Sequence, residues 1–209
     1  MENININYTK ILCFGDSNTF GFNPVNFQRY DKNIRWTGVL AELGGNKFKI
    51  VEAGANNRTA FKENPAGDEF TGVKILPKYL EKDVFDVVII AVGVNDLQMA
   101  YNSTMPDFEV GISKLVDITK KFQPNSRIIL LAPSVLIENV LKSDIFSQMF
   151  DKISIEKSHK LVEIYSKIAQ EKGCEFIDLN KIAKTSVDGL HYSIDGHEAI
   201  ARYLYDYLS

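Results

Sequence analysis

The sequence has no long apolar segment and no excess of charge of one sign. Nowhere does it contain the roughly 18 consecutive apolar residues that a membrane-spanning helix needs. The 24 basic and 27 acidic residues give a formal net charge of −3, so there is no basic field that would attract a phosphate backbone. These absences argue against a membrane protein and against a nucleic-acid partner.

The chain is also poor in cysteine, and its first residues lack the features of a secretion signal. Cys13 and Cys174 form no CxxC motif and each lies in or beside an apolar run, so we expect two buried free thiols. The opening stretch, MENININYTK, has neither a basic region nor a long apolar one. We therefore expect a cytoplasmic protein.

Short apolar runs indicate strands, and helical patterns lie between them. The runs cover residues 11–14, 48–53, 85–92, 127–132 and 174–179. The third, FDVVIIAV, is apolar almost without alternation, which is typical of a central parallel strand covered on both faces. The helical patterns cover residues 36–43, 107–122, 153–172 and 196–208. This alternation predicts one α/β domain over residues 1–209, with three α/β/α layers and a flavodoxin-like parallel sheet of about five strands.

Two segments, residues 56–74 and 133–151, have no regular pattern, and both follow predicted strands. Open parallel sheets bind ligands outside the carboxyl ends of their strands. Each segment is therefore either a pocket wall or lid, or an ordinary surface loop. The apolar content of residues 135–150 would also suit a subunit interface, which leaves a homo-oligomer as one interpretation.

Residues that could support acyl transfer follow four of the five predicted strands. They are GDS at 15–17, GAN at 54–56, GVND at 93–96 and DGLH at 188–191. The carboxyl ends of parallel strands share one edge of a sheet, so we expect these four groups to meet there.

Each group answers a chemical need of ester cleavage. A serine hydroxyl is a weak nucleophile that needs a base, and an imidazole base needs an acceptor that fixes its tautomer. Ser17, His191 and Asp188 can fill these roles. The oxyanion needs preorganised donors, for which the N–H groups of Ser17 and Gly54 and the amide of Asn95 are suitable. This chemistry requires no metal and no organic cofactor.

The other two histidines have simpler interpretations. His197 follows Asp195, which we expect to be the N-cap of the C-terminal helix. His159 falls within a predicted helix, where we expect it on the surface. We predict structural roles for both.

The four groups resemble the sequence blocks of the SGNH, or GDSL-type, hydrolase family. FGDSNT is similar to its first block, AGANN to its glycine block, VGVND to its asparagine block and DGLHYSIDGH to its last block. The resemblance spans the chain and implies the SGNH hydrolase fold, with Ser17 as nucleophile, Gly54 and Asn95 as oxyanion donors, Asp188 as orienting acid and His191 as base. RWTGVLAEL and IFSQMF resemble the branch of bacterial arylesterases and acyltransferases.

Four residues near these blocks are candidates for the substrate pocket. Asn18 stands where the family usually has leucine, and Asn56 matches the family's second block, with Asn57 beside it as a competing amide. We predict that Asp16 is mainly a turn residue whose carboxylate accepts backbone N–H groups. Trp36, the only tryptophan, is either a core residue or an aromatic wall of the pocket.

Together these features predict a serine esterase that cleaves small esters with short acyl or aryl groups through an acyl-enzyme. A carbohydrate acetyl-esterase of the same family is an alternative. Another alternative is a flavodoxin-like flavin- or phosphate-binding protein, in which the loop GDSNTFG would bind the phosphate. This interpretation gives Asp188 and His191 no role, and the loop lacks the lysine of a P-loop. A fold that has lost its activity is the third.

Overall fold

Five parallel strands form a single sheet in the computed structural model, which describes residues 8–209. Their order across the sheet is β2-β1-β3-β4-β5. The strands are β1 (Thr9–Gly15), β2 (Phe48–Gly54), β3 (Val87–Ala91), β4 (Arg127–Ala132) and β5 (Glu175–Asp178). The predicted parallel sheet of about five strands is confirmed.

Helices cover both faces of this sheet. They are α2 (Trp36–Gly44), α3 (Gly72–Leu80), α4 (Met105–Phe122), α5 (Lys152–Lys172) and α6 (Ile194–Leu208), while the short helix α1 (Ser17–Phe20) follows directly after β1. Alternate residues of β1 enter two separate cores: Leu12 packs with side chains of α3, α4 and α5, whereas Ile11 packs with those of α2 and α6. The three-layer prediction is thus confirmed, because each face of the strands is apolar and each carries its own helices.

The strand order creates a crevice above β1. The chain passes from β1 to β2 on one side and later to β3 on the other, so the direction of winding reverses at β1. In the register, Gly15 at the end of β1 lies beside Gly54 of β2 and Ala91 of β3, so the three strands end level. Ligands of open α/β sheets bind at such a reversal point, and the GDS group lies directly beyond it.

Helix α3 was not predicted. Its sequence, GVKILPKYL, contains Pro77, which normally interrupts a helix, and its first residues fall in the segment read as irregular. Leu76 and Leu80 are buried in the core beneath it. Their packing against the sheet outweighs the local cost of the proline.

The predicted cap of α6 is wrong. The helix begins two residues earlier than the pattern indicated, at Ile194, and Ser193 is its N-cap, with Ser193 Oγ accepting the N–H of Gly196 at 3.0 Å. Asp195 lies instead within the first turn of α6, where a negative side chain interacts favourably with the helix dipole.

Both cysteines are free thiols, but only Cys13 is fully buried. Burial raises the pKa of the Cys13 thiol above its usual value. Cys174, just before β5, is partly exposed, so the expectation of burial is too strong there. Between residues 8 and 209, none of the helices combines the length and the apolar character needed to cross a bilayer.

Candidate active site

Ser17 is the first residue of the short helix that follows β1. Asp16 is the N-cap of α1, and its Oδ1 accepts the N–H of Asn18 at 3.0 Å. Gly21 ends the helix with φ at +84°, a conformation that favours glycine. This tight turn fixes Ser17 above the end of β1, where the residue is 5% exposed.

Ser17, His191 and Asp188 form a continuous chain of hydrogen bonds. Ser17 Oγ lies 2.9 Å from Nε2 of His191, and Nδ1 of His191 lies 2.6 Å from Oδ2 of Asp188. Asp188 Oδ1 accepts the backbone N–H groups of Leu190 at 3.1 Å and His191 at 3.0 Å. With Nδ1–H donating to the carboxylate, Nε2 is left free to accept the serine proton.

The carboxylate of Asp188 stays ionised in this setting. Burial raises its pKa, but the hydrogen bond from the His191 ring and the electrostatic interaction with that ring, together with two backbone N–H groups, lower the pKa below its usual value. An ionised acid at this position stabilises the imidazolium that forms when His191 takes a proton.

The glycines that end β2 or follow β3 meet different constraints. Gly54 ends β2 against α1, where an added Cβ would lie 2.2 Å from the backbone nitrogen of Phe20. Gly93 after β3 has φ at +136°, and a Cβ there would lie 2.2 Å from Tyr165 Oη. For Gly54 the close approach, rather than an unusual φ, excludes any larger residue.

The amide of Asn95 is fixed on both sides. Its Nδ2 donates to the carbonyl of Arg58 at 3.0 Å, and its Oδ1 accepts from Nε2 of Gln98 at 3.1 Å. Gln98 also donates to Asn57 Oδ1 at 2.7 Å. Nδ2 has two hydrogens, so one is left after the contact with Arg58. The glutamine was not singled out in the sequence, although its spacing of three residues from Asn95 suits such a contact.

Asp96 and Arg58 hold the loop between β2 and α3 in place. The Asp96 carboxylate accepts the N–H groups of Ala60 at 2.5 Å, Phe61 at 3.0 Å and Lys62 at 2.9 Å. Burial raises the pKa of Asp96 to about 6, although the backbone N–H groups lower it. The buried Arg58 guanidinium donates to the carbonyl of Gly15 at 2.9 Å. The segment 56–74 therefore forms a fixed wall beside the strand ends.

Two aromatic rings lie close to the His191 imidazole. The ring centroid of Phe22 is 4.5 Å from that of His191, and the centroid of Phe146 is 5.4 Å from it. Phe27, half exposed with φ at +61°, packs edge-on against Phe22. The pattern did not predict the position of Phe22. Phe146 belongs to the segment 133–151 that was read as a lid or interface, and this segment does border the site.

The four candidate pocket residues are in different environments. Asn56 is exposed, and the Trp36 side chain is buried in the core beneath α2. Asp16, Asn18 and Trp36 line a small cavity of about 10 Å³, which would hold one water molecule but no ester. Burial raises the pKa of Asp16 to about 7, partly offset by the Asn18 N–H and the charge of Arg58.

Neither of the other two histidines forms a hydrogen bond with Ser17 in the described structure. His197 is buried at the start of α6, and its Nδ1 accepts the backbone N–H of Trp36 at 3.3 Å. Burial lowers the pKa of His197 to about 3, so it stays neutral. His159 is exposed on α5.

Serine hydrolases of unrelated folds share this order of hydrogen bonds, from carboxylate to imidazole to serine. Here the same chain of hydrogen bonds lies on a parallel α/β sheet, with Ser17 at the reversal point of the strand order. The sequence model of the GDSL-like lipase/acylhydrolase family matches residues 13–199, so the chain belongs to this family. The predicted resemblance is confirmed, and the protein is a hydrolase of this family.

The solved structures that are similar over nearly the whole chain include an aryl esterase and a carbohydrate acetylesterase. The inhibitor-bound aryl esterase of M. smegmatis is 28% identical with a TM-score of 0.89, over 96% of this chain and 98% of that one. Est24, a carbohydrate acetylesterase from Sinorhizobium meliloti, is 29% identical with a TM-score of 0.89, over 96% of this chain and 98% of that one. No curated protein gives a significant match.

Proposed function

We propose that the protein is a serine esterase that hydrolyses small carboxylic esters, with Ser17 as nucleophile, His191 as general base and Asp188 as the acid that orients it. The hydrogen-bond chain from Asp188 Oδ2 through the imidazole to Ser17 Oγ carries this proposal. Its two distances, 2.6 and 2.9 Å, lie within the range needed for proton transfer.

The proposed reaction proceeds in two halves. Ser17 Oγ bonds to the ester carbonyl carbon while its proton passes to Nε2 of His191. The tetrahedral intermediate then collapses, the bond to the alcohol breaks, and His191 gives its proton to the departing oxygen. A water molecule, activated by the same Nε2, releases the acid and restores Ser17.

The negative charge that develops on the carbonyl oxygen needs donors that are already in place. We assign these to the backbone N–H groups of Ser17 and Gly54 and to the free Nδ2 hydrogen of Asn95. The contacts of Asn95 with Gln98 and Arg58 support this assignment, because they fix the amide plane before substrate binds.

The aromatic rings beside His191 favour small esters with aryl or short acyl groups. Phe22 and Phe146 offer apolar surface next to the base, and aromatic substrates stack on such rings. Similarity to the aryl esterase of M. smegmatis agrees with this choice. Similarity to Est24 keeps a carbohydrate acetyl-esterase as the second candidate. A comparison of kcat/KM for phenyl acetate and for acetylated xylose separates the two.

The flavin- or phosphate-binding alternative is less well supported. Such a site would use the Ser17 hydroxyl to bind the ligand, whereas Ser17 Oγ already interacts with His191. Membership of a hydrolase family also argues against it.

The proposal predicts that a fluorophosphonate will label Ser17 alone. Such reagents react with serines activated by a neighbouring base, and Ser17 has its base at 2.9 Å. Mass spectrometry of the digested protein should find one adduct, on the peptide that contains Ser17. The Ser17→Ala variant and heat-unfolded protein should remain unlabelled. A folded protein that takes up no label would contradict the proposal and favour a scaffold without activity.

Replacing Asn95 with alanine should lower kcat by about 10²- to 10³-fold with little change in KM, because the donor acts mainly on the transition state. Steady-state kinetics with 4-nitrophenyl acetate test this. Asn46→Ala is the matched control, since Asn46 is exposed before β2, at the opposite edge of the sheet. If a folded Asn95→Ala protein had the wild-type kcat, Asn95 would not be an oxyanion donor.

A further inference from the structure

The side chain of Asn18, the residue after the proposed nucleophile, contacts the loop that carries His191. Asn18 is 7% exposed. Its Oδ1 accepts the backbone N–H of Tyr192 at 2.9 Å, and its Nδ2 donates to the carbonyl of Leu190 at 3.3 Å. Leu190 and Tyr192 flank His191, so the amide holds the main chain on both sides of the proposed base.

A second side chain, that of Ser134, holds the same loop. Ser134, in the segment after β4, donates from Oγ to the carbonyl of Leu190 at 2.9 Å, and Asn18 Nδ2 lies 3.4 Å from that Oγ. The buried Leu190 carbonyl therefore has two donors. A leucine at position 18 would provide neither the donor nor the acceptor, and the N–H of Tyr192 would lose its Asn18 partner.

The hydrogen bonds from the Asn18 amide to Leu190 and Tyr192 do not involve the proton that moves in the reaction. Once Ser17 carries an acyl group, its Oγ has no proton to donate to Nε2 of His191, so their direct hydrogen bond is lost. The contacts from Asn18 to Leu190 and Tyr192 involve only an amide and the backbone, and acylation changes none of these groups. They keep the histidine loop in place against the helix that carries Ser17.

We propose that Asn18 is a positioning residue, which keeps the base at its working distance from the nucleophile through both halves of the reaction. This inference rests on the proposed esterase activity of Ser17 and His191. It also gives Asn18 a role other than lining the substrate pocket: the amide fixes the geometry of the general base. Loss of such geometry slows a reaction without weakening substrate binding.

The test compares Asn18→Leu with a matched variant elsewhere. Gln123 is also buried, at 6% exposure, and its amide binds backbone in the same way: Nε2 donates to Leu80 O at 2.7 Å and Oε1 accepts Phe85 N–H at 3.1 Å. These contacts lie at the opposite edge of the sheet. Gln123→Leu should therefore lower Tm with wild-type kcat.

Asn18→Leu should lower Tm as well, and in addition should lower kcat about 10- to 100-fold with little change in KM. The rate of fluorophosphonate labelling of Ser17 should fall to a similar degree. Equal kcat in the wild type and the folded Asn18→Leu protein would overturn the inference. A wild-type protein with neither esterase activity nor labelling would instead overturn the proposed function, and the inference with it.

A measurement on the wild-type protein covers the case in which Asn18→Leu does not fold. Hydrogen exchange of the Tyr192 N–H, followed by NMR, is compared before and after fluorophosphonate modification of Ser17. Its protection should be unchanged, because Asn18 Oδ1 still accepts this proton. Loss of protection on modification would mean that the Ser17–His191 bond, rather than Asn18, holds the loop.

Discussion

Replacing His191 with alanine should lower kcat by about 10⁶-fold, the scale observed when a serine hydrolase loses its general base. Ser17 Oγ is 2.9 Å from Nε2 of His191, and no other histidine can replace it. His197 is buried with its Nδ1 bonded to the Trp36 N–H, and His159 is exposed on α5. Without a base the hydroxyl keeps its proton and stays a weak nucleophile.

Two measurements check this result. Steady-state hydrolysis of 4-nitrophenyl acetate gives the rate, and fluorophosphonate labelling followed by mass spectrometry reports directly on Ser17, which is unchanged in the variant. Both should fall to background, whereas His159→Ala should behave as the wild type. Persistent labelling of Ser17 in a folded His191→Ala protein would show that another group activates the serine.

Replacing Asp188 with asparagine should lower kcat by about 10⁴-fold while the fold survives. Asp188 Oδ1 accepts two backbone N–H groups, at 3.1 and 3.0 Å, and Oδ2 accepts from His191 Nδ1. Asparagine has only one side-chain oxygen, and this oxygen will keep accepting the two backbone N–H groups. Its NH₂ group then faces Nδ1, which must become an acceptor.

The imidazole is thereby forced into the tautomer that carries its proton on Nε2. Such a ring cannot accept the proton of Ser17, although every atom is close to its wild-type position. The ¹⁵N chemical shifts of the His191 ring distinguish the two tautomers, and steady-state kinetics give the rate. Asp195→Asn is the control, because Asp195 is exposed in the first turn of α6. If Asp188→Asn retained most of its activity, Asp188 would not be the orienting acid.

The sequence predicted those features that follow from strand order and apolar pattern. The unbroken apolar run of β3 indicated a central strand, and β4 has the predicted bounds of 127–132. The convergence of Ser17 and His191 followed from one rule, that parallel strands end at a common edge. Neither inference required knowledge of how any side chain is oriented.

Features that depend on packing or on distant partners could not be predicted in this way. Helix α3 contains a proline that local propensity disfavours, and only the core beneath it explains the helix. Phe22 and Phe146 meet at His191 from loops with no periodic pattern. Leu190 and Tyr192, the backbone partners of the Asn18 side chain, lie 172 and 174 positions further along the chain. The sequence therefore showed a polar residue where the family usually has leucine, but it did not show what that residue contacts.

The same separation has a consequence for how the protein is made. Ser17 follows the first strand, whereas His191 lies 174 positions later, beyond all five strands. Because a domain generally folds as a unit, the sheet and the proposed site form together only after residues 188–191 have been synthesised. Until then Ser17 lacks its proposed base, and a fragment released before residue 191 would carry an inert hydroxyl. The proposed reactivity of Ser17 therefore belongs to the finished sheet and not to the strand that carries the serine.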